Sequence, residues 1–133
     1  MTEGRIRLDG LRVLVADDEK DLREVLTEAL RVCGATVFQA ADGREGLQLL
    51  KSNPVHIVFS DVRMPGGSGL QFLDAVQSLP EPRPAFVLVS GFADLTRSEA
   101  LRRGALEMLG KPFRLSEIRD LAARLLPPEA SVG

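Results

Sequence analysis

Five polar side chains stand at the ends of apolar runs, where packing alone has little use for them. Asp17 and Asp18 follow LRVLVA, Asp61 follows VHIVFS, Ser90 follows AFVLV, and Lys111 follows the brief run Glu107-Met108-Leu109. Carboxylates brought close together repel one another and raise each other's pKa. A divalent cation among them relieves that repulsion, and an all-oxygen donor set with room for water suits Mg²⁺ or Mn²⁺. The ammonium of Lys111 would add a second positive charge and the hydroxyl of Ser90 a hydrogen-bond donor. Cation, ammonium and hydroxyl together fit the oxygens of a phosphoryl group. The carboxylate of Asp61 would then attack phosphorus and become an acyl phosphate. Nucleophiles that rely on a histidine base are poorly supported. The single histidine, His56, falls in mid-strand and reads as structural. The single cysteine, Cys33, excludes an intrachain disulfide and reads as a small apolar residue near a helix end.

These residues can meet only if the runs are parallel strands of one sheet. Between the first run and the next, Leu22, Val25, Leu26, Ala29, Leu30 and Cys33 fall at helical spacing, and Gly34 suits the position just past a helix end. Thr36–Ala40 reads as a strand, and Asp42-Gly43 as a turn or helix entry. A weaker helical pattern from Gly46 to Lys51 is ended by Asn53-Pro54. Ser68 is a plausible N-cap for a helix carrying Leu70, Leu73 and Val76. The proline-rich stretch from Leu79 to Pro84 must be a loop. A short, mostly polar helix is expected from about Asp94 to Arg103, closed by Gly104, and a last one from about Ser116 to Leu126, stopped by Pro127-Pro128. Strand and helix alternate as βαβαβαβαβα. Such connections require parallel strands with right-handed crossovers, hence an α/β chain with a doubly wound sheet in three layers. All the polar strand ends then lie on one rim, the side on which open α/β sheets bind ligands.

Composition narrows the choice of function. A chain of 133 residues is enough for one domain with one core. A net charge of -2 and a pI near 5.5 argue against direct binding to nucleic acid. No apolar run approaches the roughly 20 residues of a membrane span. The N-terminus leads into no signal-like apolar segment, so a cytoplasmic location is the expectation.

Taken together, LRVLVADDEKDLREVL, IVFSDVRMPGGSGLQFL, FVLVSGFAD and GALEMLGKPF resemble the receiver domain of two-component response regulators, from about Leu11 to Leu126. The resemblance implies a five-stranded parallel sheet in the flavodoxin-like order 2-1-3-4-5, a three-layer αβα receiver spanning residues 8–127, and short tails at 1–7 and 128–133. It makes Asp61 the phosphoacceptor. It makes Asp18 a direct Mg²⁺ ligand, Asp17 the holder of metal-bound water and of Lys111, and the main-chain carbonyl of Arg63 the third protein ligand. Ser90 becomes the switch hydroxyl and Lys111 its phosphoryl-binding partner, with Lys111-Pro112 a cis bond. The donor would be a histidine kinase or a histidine phosphotransfer domain. The response would be a changed surface around the fourth helix, fifth strand and fifth helix, read by an unidentified downstream protein. The chain would be a monomer or a weak phosphorylation-dependent dimer, and no conventional enzyme. It departs from the family at Met108, where Tyr or Phe is usual and swings inward with the switch hydroxyl. Gly67 replaces a larger apolar residue and Ser68 an aspartate. Arg63 and Phe92 flank the expected path of attacking water and would slow loss of the phosphoryl group. Two other classes compete. One is a Mg²⁺-dependent phosphatase, disfavoured because Val62 and Arg63 stand where a second acid is needed. The other is a phosphorylation-independent interaction module that docks through Met108.

Overall fold

The computed structural model describes residues 6–91 and 95–126. Expectations for Phe92, Asp94, Pro127, Pro128 and most of both tails lie outside the described residues. The elements run β1 (Arg12–Ala16), α1 (Lys20–Arg31), β2 (Thr36–Ala40), α2 (Gly43–Ser52), β3 (Ile57–Asp61), α3 (Gly69–Gln77), β4 (Ala85–Ser90), α4 (Arg97–Arg102), β5 (Glu107–Gly110) and α5 (Leu115–Arg124). The five strands form one parallel sheet in the order β2-β1-β3-β4-β5. This is the doubly wound α/β architecture and strand order anticipated above.

The central strands carry no alternation because both of their faces are covered. Val13, Val15, Ile57, Phe59 and Val87 point into a core closed by Leu26 and Leu30 of α1 and by Ile118, Leu121 and Ala122 of α5. Leu14, Ala16, Val58, Phe86 and Leu88 point the other way, against Phe72, Leu73 and Val76 of α3 and Ala100 of α4. Burial of these two apolar layers stabilises the sheet whose strand ends form the rim.

Four local features differ from the spacing-based reading. Val25 is 48% exposed, whereas Thr27 is 1% exposed. Thr27 takes the inward position because its hydroxyl donates to the Arg23 carbonyl at 2.8 Å, so burial leaves it satisfied. Helix α2 enters at Asp42-Gly43, one of the two readings open from the sequence, and what differs is its inward face. Asp42 caps it by accepting from the Glu45 amide at 2.8 Å, and the Glu45 carboxylate accepts from the Ala41 amide at 2.6 Å. Its buried positions are Gly43 and Gly46, and the Phe72 ring occupies the space that a side chain on Gly46 would need. The apolar pattern is weak there because the inward residues are glycines. Helix α4 is shorter than expected, starting at Arg97 behind the Thr96–Glu99 capping box. His56 lies just before β3 rather than in mid-strand. Its Nδ1 accepts from the Arg12 amide at 3.0 Å, joining the entrances of β1 and β3.

Candidate functional site

Each polar residue reaches the rim by a different route. Beyond β1, the Asp17 amide donates to the Ala40 carbonyl at 3.0 Å. One carboxylate oxygen of Asp17 accepts from the Glu19 amide at 2.9 Å, turning the side chain back over the rim. Asp18 is next in the chain and exposed. Asp61 is the last residue of β3, opposite Val89 of β4, and Ser90 is the residue after Val89. Lys111 leaves β5 with its amide donating to the Ser90 carbonyl at 2.8 Å, and the Lys111–Pro112 peptide is cis.

The side chains converge. Asp17, Asp61 and Ser90 are only 3%, 6% and 4% exposed. Asp17, Asp18 and Asp61 each offer a carboxylate oxygen, and these oxygens lie within 4.8 Å of one another. Lys111 Nζ is 3.3 Å from Asp61 Oδ2 and 3.9 Å from Asp17 Oδ2. The other oxygen of Asp61, Oδ1, is buried and has no hydrogen-bond partner among the described residues. A buried polar atom left unpaired costs about 1–3 kcal/mol, and more when it is charged. A cation beside it removes that cost. Three carboxylates are a hard, all-oxygen donor set, and exposed Asp18 leaves the cluster open to solvent, so the residues fit Mg²⁺ or Mn²⁺.

Burial pushes the Asp17 carboxyl up from its ordinary value, and the charge of Asp61 adds to that push. The Glu19 amide and Lys111 oppose it without cancelling it. An acid whose folded pKa is raised destabilises the fold when ionised. The penalty is complete above the folded pKa and is relieved as pH falls toward the unfolded value. Asp17→Asn is therefore expected to raise Tm by a few degrees at pH 7 without divalent cations, and the gain should shrink as the solution is acidified. Added Mg²⁺ should raise the wild-type Tm more than that of the variant, because a cation that binds only the folded form stabilises by mass action. Melting curves over pH, with and without Mg²⁺, measure both effects. A variant less stable than wild type at pH 7 without Mg²⁺ contradicts the burial argument.

The remaining candidate residues lie around this cluster. Arg63 is exposed just past β3, where Asp18, Arg63, Met64, Ser68 and Leu70 line an open groove beside the acids. Met108 sits in β5 opposite Leu88 and packs, partly buried, against the core on the α3–α4 side. Three supporting residues escaped the sequence reading. Ser60 donates its buried hydroxyl to the Asp61 carbonyl at 2.9 Å. Gly69 lies so close that an added Cβ would be 2.0 Å from that same carbonyl oxygen. Arg23 donates to the Asp17 carbonyl at 2.7 Å. Only Gly69 left a signal, a poor helix former immediately after a capping serine.

The profile of the response regulator receiver domain matches residues 13–123. The chain belongs to that family. Receiver domains are phosphoacceptor signalling modules of two-component systems, and they generally bind Mg²⁺ in an acidic pocket such as the one described. Probable chemotaxis protein CheY of Rhizobium etli is 32% identical over 114 residues, covering 84% of this chain and 88% of the relative. Response regulator protein PilR of Pseudomonas aeruginosa is 33% identical over 123 residues, covering 90% of this chain and 27% of the relative. The receiver thus spans about a quarter of PilR and nearly all of CheY. Among solved structures, the receiver domain of the Francisella response regulator 1452 superposes with a TM-score of 0.80 at 27% identity, covering 87% of this chain and 96% of that one. Among the described residues no helix is long and apolar enough to cross a membrane.

Proposed function

We propose that this receiver accepts a phosphoryl group on Asp61 from a histidine kinase or a histidine phosphotransfer domain. The observation that carries the reading is the buried Asp61 Oδ1, unpartnered among the described residues, beside Lys111 and within an acidic cluster. Asp17, Asp18, Asp61 and the main-chain carbonyl of Arg63 would hold the divalent cation. When bound, it neutralises oxygens of the incoming phosphoryl group.

In the transfer, a carboxylate oxygen of Asp61 forms the new P–O bond as the P–N bond of the phosphohistidine breaks. The bond electrons leave with the imidazole. Lys111 needs little movement to pair with a phosphoryl oxygen, since its ammonium already faces both Asp61 and Asp17. Ser90, at the end of the adjacent strand, would turn its hydroxyl toward the same group. The change would pass through β4 and β5 to the surface of α4, β5 and α5, with Met108 as the apolar residue able to repack there. The functional unit would run over residues 8–127. A donor of the phosphotransfer class is supported by a structure of the same fold, the complex of the histidine phosphotransfer protein Ypd1 with the receiver domain of Ssk1 from Saccharomyces cerevisiae.

The test is phosphorylation of the wild-type protein by acetyl phosphate, followed by intact mass. A Mg²⁺-dependent gain of one phosphoryl group, discharged by neutral hydroxylamine, is expected. No gain with Mg²⁺ or Mn²⁺ present overturns the reading.

A further inference from the structure

Asp17 is held at three points. Its amide is held by Ala40 of β2, one carboxylate oxygen by the Glu19 amide, and its carbonyl by Arg23. Arg23 comes from the first turns of α1 and is partly buried. Its Nη1 donates to the Asp17 carbonyl at 2.7 Å, and its Nε donates to the side-chain oxygen of Gln39 in β2 at 3.3 Å. The planar guanidinium therefore bridges two segments, with Gln39 fixing one edge while the other grips the loop. With amide, carbonyl and Oδ1 all engaged, Asp17 has only Oδ2 to turn toward Lys111 and the acidic cluster. Asp18, the next residue, is exposed and offers its own carboxylate oxygen to the cluster.

The charge of Arg23 makes this arrangement informative. A guanidinium next to a loop that collects carboxylates for a divalent cation repels that cation. Electrostatics alone would therefore favour a neutral residue at this position. A geometric role works in the opposite direction, because metal affinity depends on holding ligands where the cation needs them, and partners beyond the ligands commonly matter about 10–100-fold. The two roles predict opposite signs.

We infer that Arg23 is a positioning residue for the divalent cation, locking the Asp17–Asp18 peptide between α1 and β2. The inference rests on the phosphoacceptor reading of the same site. Lysine does not replace it, since a single ammonium lacks the flat fork that spans the Asp17 carbonyl and the Gln39 side chain. The Gln39 side chain supports the loop through Arg23.

The test is Mg²⁺ affinity measured by amide chemical-shift titration, which suits a chain with no Trp and no Tyr. Melting temperature is recorded for every variant. Arg23→Met should weaken Mg²⁺ binding about tenfold. Arg23→Lys keeps the charge and should still weaken binding several-fold. Gln39→Ala keeps both the charge and the bond to Asp17 and should weaken it less than either. If Arg23→Met does not fold, Arg23→Lys and Gln39→Ala decide the matter. Unchanged or tighter binding in Arg23→Met, or unchanged binding in both Arg23→Lys and Gln39→Ala, overturns the assignment even if melting temperatures fall. A wild-type protein that binds neither Mg²⁺ nor Mn²⁺ overturns the phosphoacceptor reading together with this one. Wild-type binding that the variants leave unmoved overturns this one alone.

Discussion

Asp61→Asn will fold and will not be phosphorylated. Asparagine matches the shape of aspartate, and its amide oxygen can still accept from Lys111, whose Nζ lies 3.3 Å from Asp61 Oδ2. The amide has no negative charge and is a poor nucleophile, so the acyl phosphate cannot form at this position. Labelling by acetyl phosphate should fall on the order of 1,000-fold or more, the scale on which loss of a nucleophile is felt. Stability should move the other way or stay level. Removing one of three clustered carboxylates relieves like-charge repulsion, so the variant should melt at or above the wild-type temperature without divalent cations. The pair of measurements carries the argument. Lost labelling with a lower Tm would indicate damage to the fold, whereas lost labelling with an equal or higher Tm assigns the loss to chemistry. Labelling that survives intact would place the phosphoacceptor elsewhere, and the buried Oδ1 of Asp61 would need another explanation.

The rim of the sheet was legible in the sequence because parallel topology leaves little freedom. Once strands and helices alternate, Asp17, Asp61, Ser90 and Lys111 must end on the same side. What periodicity could not resolve was how much each residue is buried. Asp17 and Asp18 are adjacent and chemically identical, yet one is enclosed by β2 and the start of α1 while the other faces solvent. Val25 and Thr27 exchange their expected places because a hydroxyl can satisfy itself on its own helix. The inward face of α2 was hidden because its contact with α3 needs glycine, and a hydrophobic stripe cannot announce a residue without a side chain. Arg23 looked like one more charge on a charged helix. Its two acceptors lie 6 and 16 positions away in the chain, and only the folded structure brings them to one guanidinium.

Gly69 marks the same limit from the steric side and sets the second large expected effect. It is the first residue of α3, behind the Ser68–Gln71 capping box. At such a position alanine ordinarily stabilises a helix by roughly 0.5–1 kcal/mol over glycine. Here the expected sign is reversed. A Cβ on Gly69 would lie 2.0 Å from the Asp61 carbonyl oxygen and 3.0 Å from the Val62 Cα, both of them backbone atoms. The Gly69 amide also donates to the Val62 carbonyl at 2.8 Å, so helix and strand end are tied at the point of the clash. Either α3 moves away and breaks that bond, or the backbone of Asp61 and Val62 shifts. Gly69→Ala is expected to lose about 3 kcal/mol of stability in denaturant unfolding, at the upper end of the usual overpacking range. Gly110→Ala is the control. Among the described residues an added Cβ there meets nothing within 4 Å, and stability should change by less than about 0.5 kcal/mol. Labelling then tells the two ways of yielding apart. If the strand end shifts, the Asp61 carboxylate moves relative to Asp17 and Lys111, and phosphorylation falls along with stability. If the helix yields, stability falls while phosphorylation persists. A Gly69→Ala protein as stable as wild type would mean that the close approach of α3 to the end of β3 is not required.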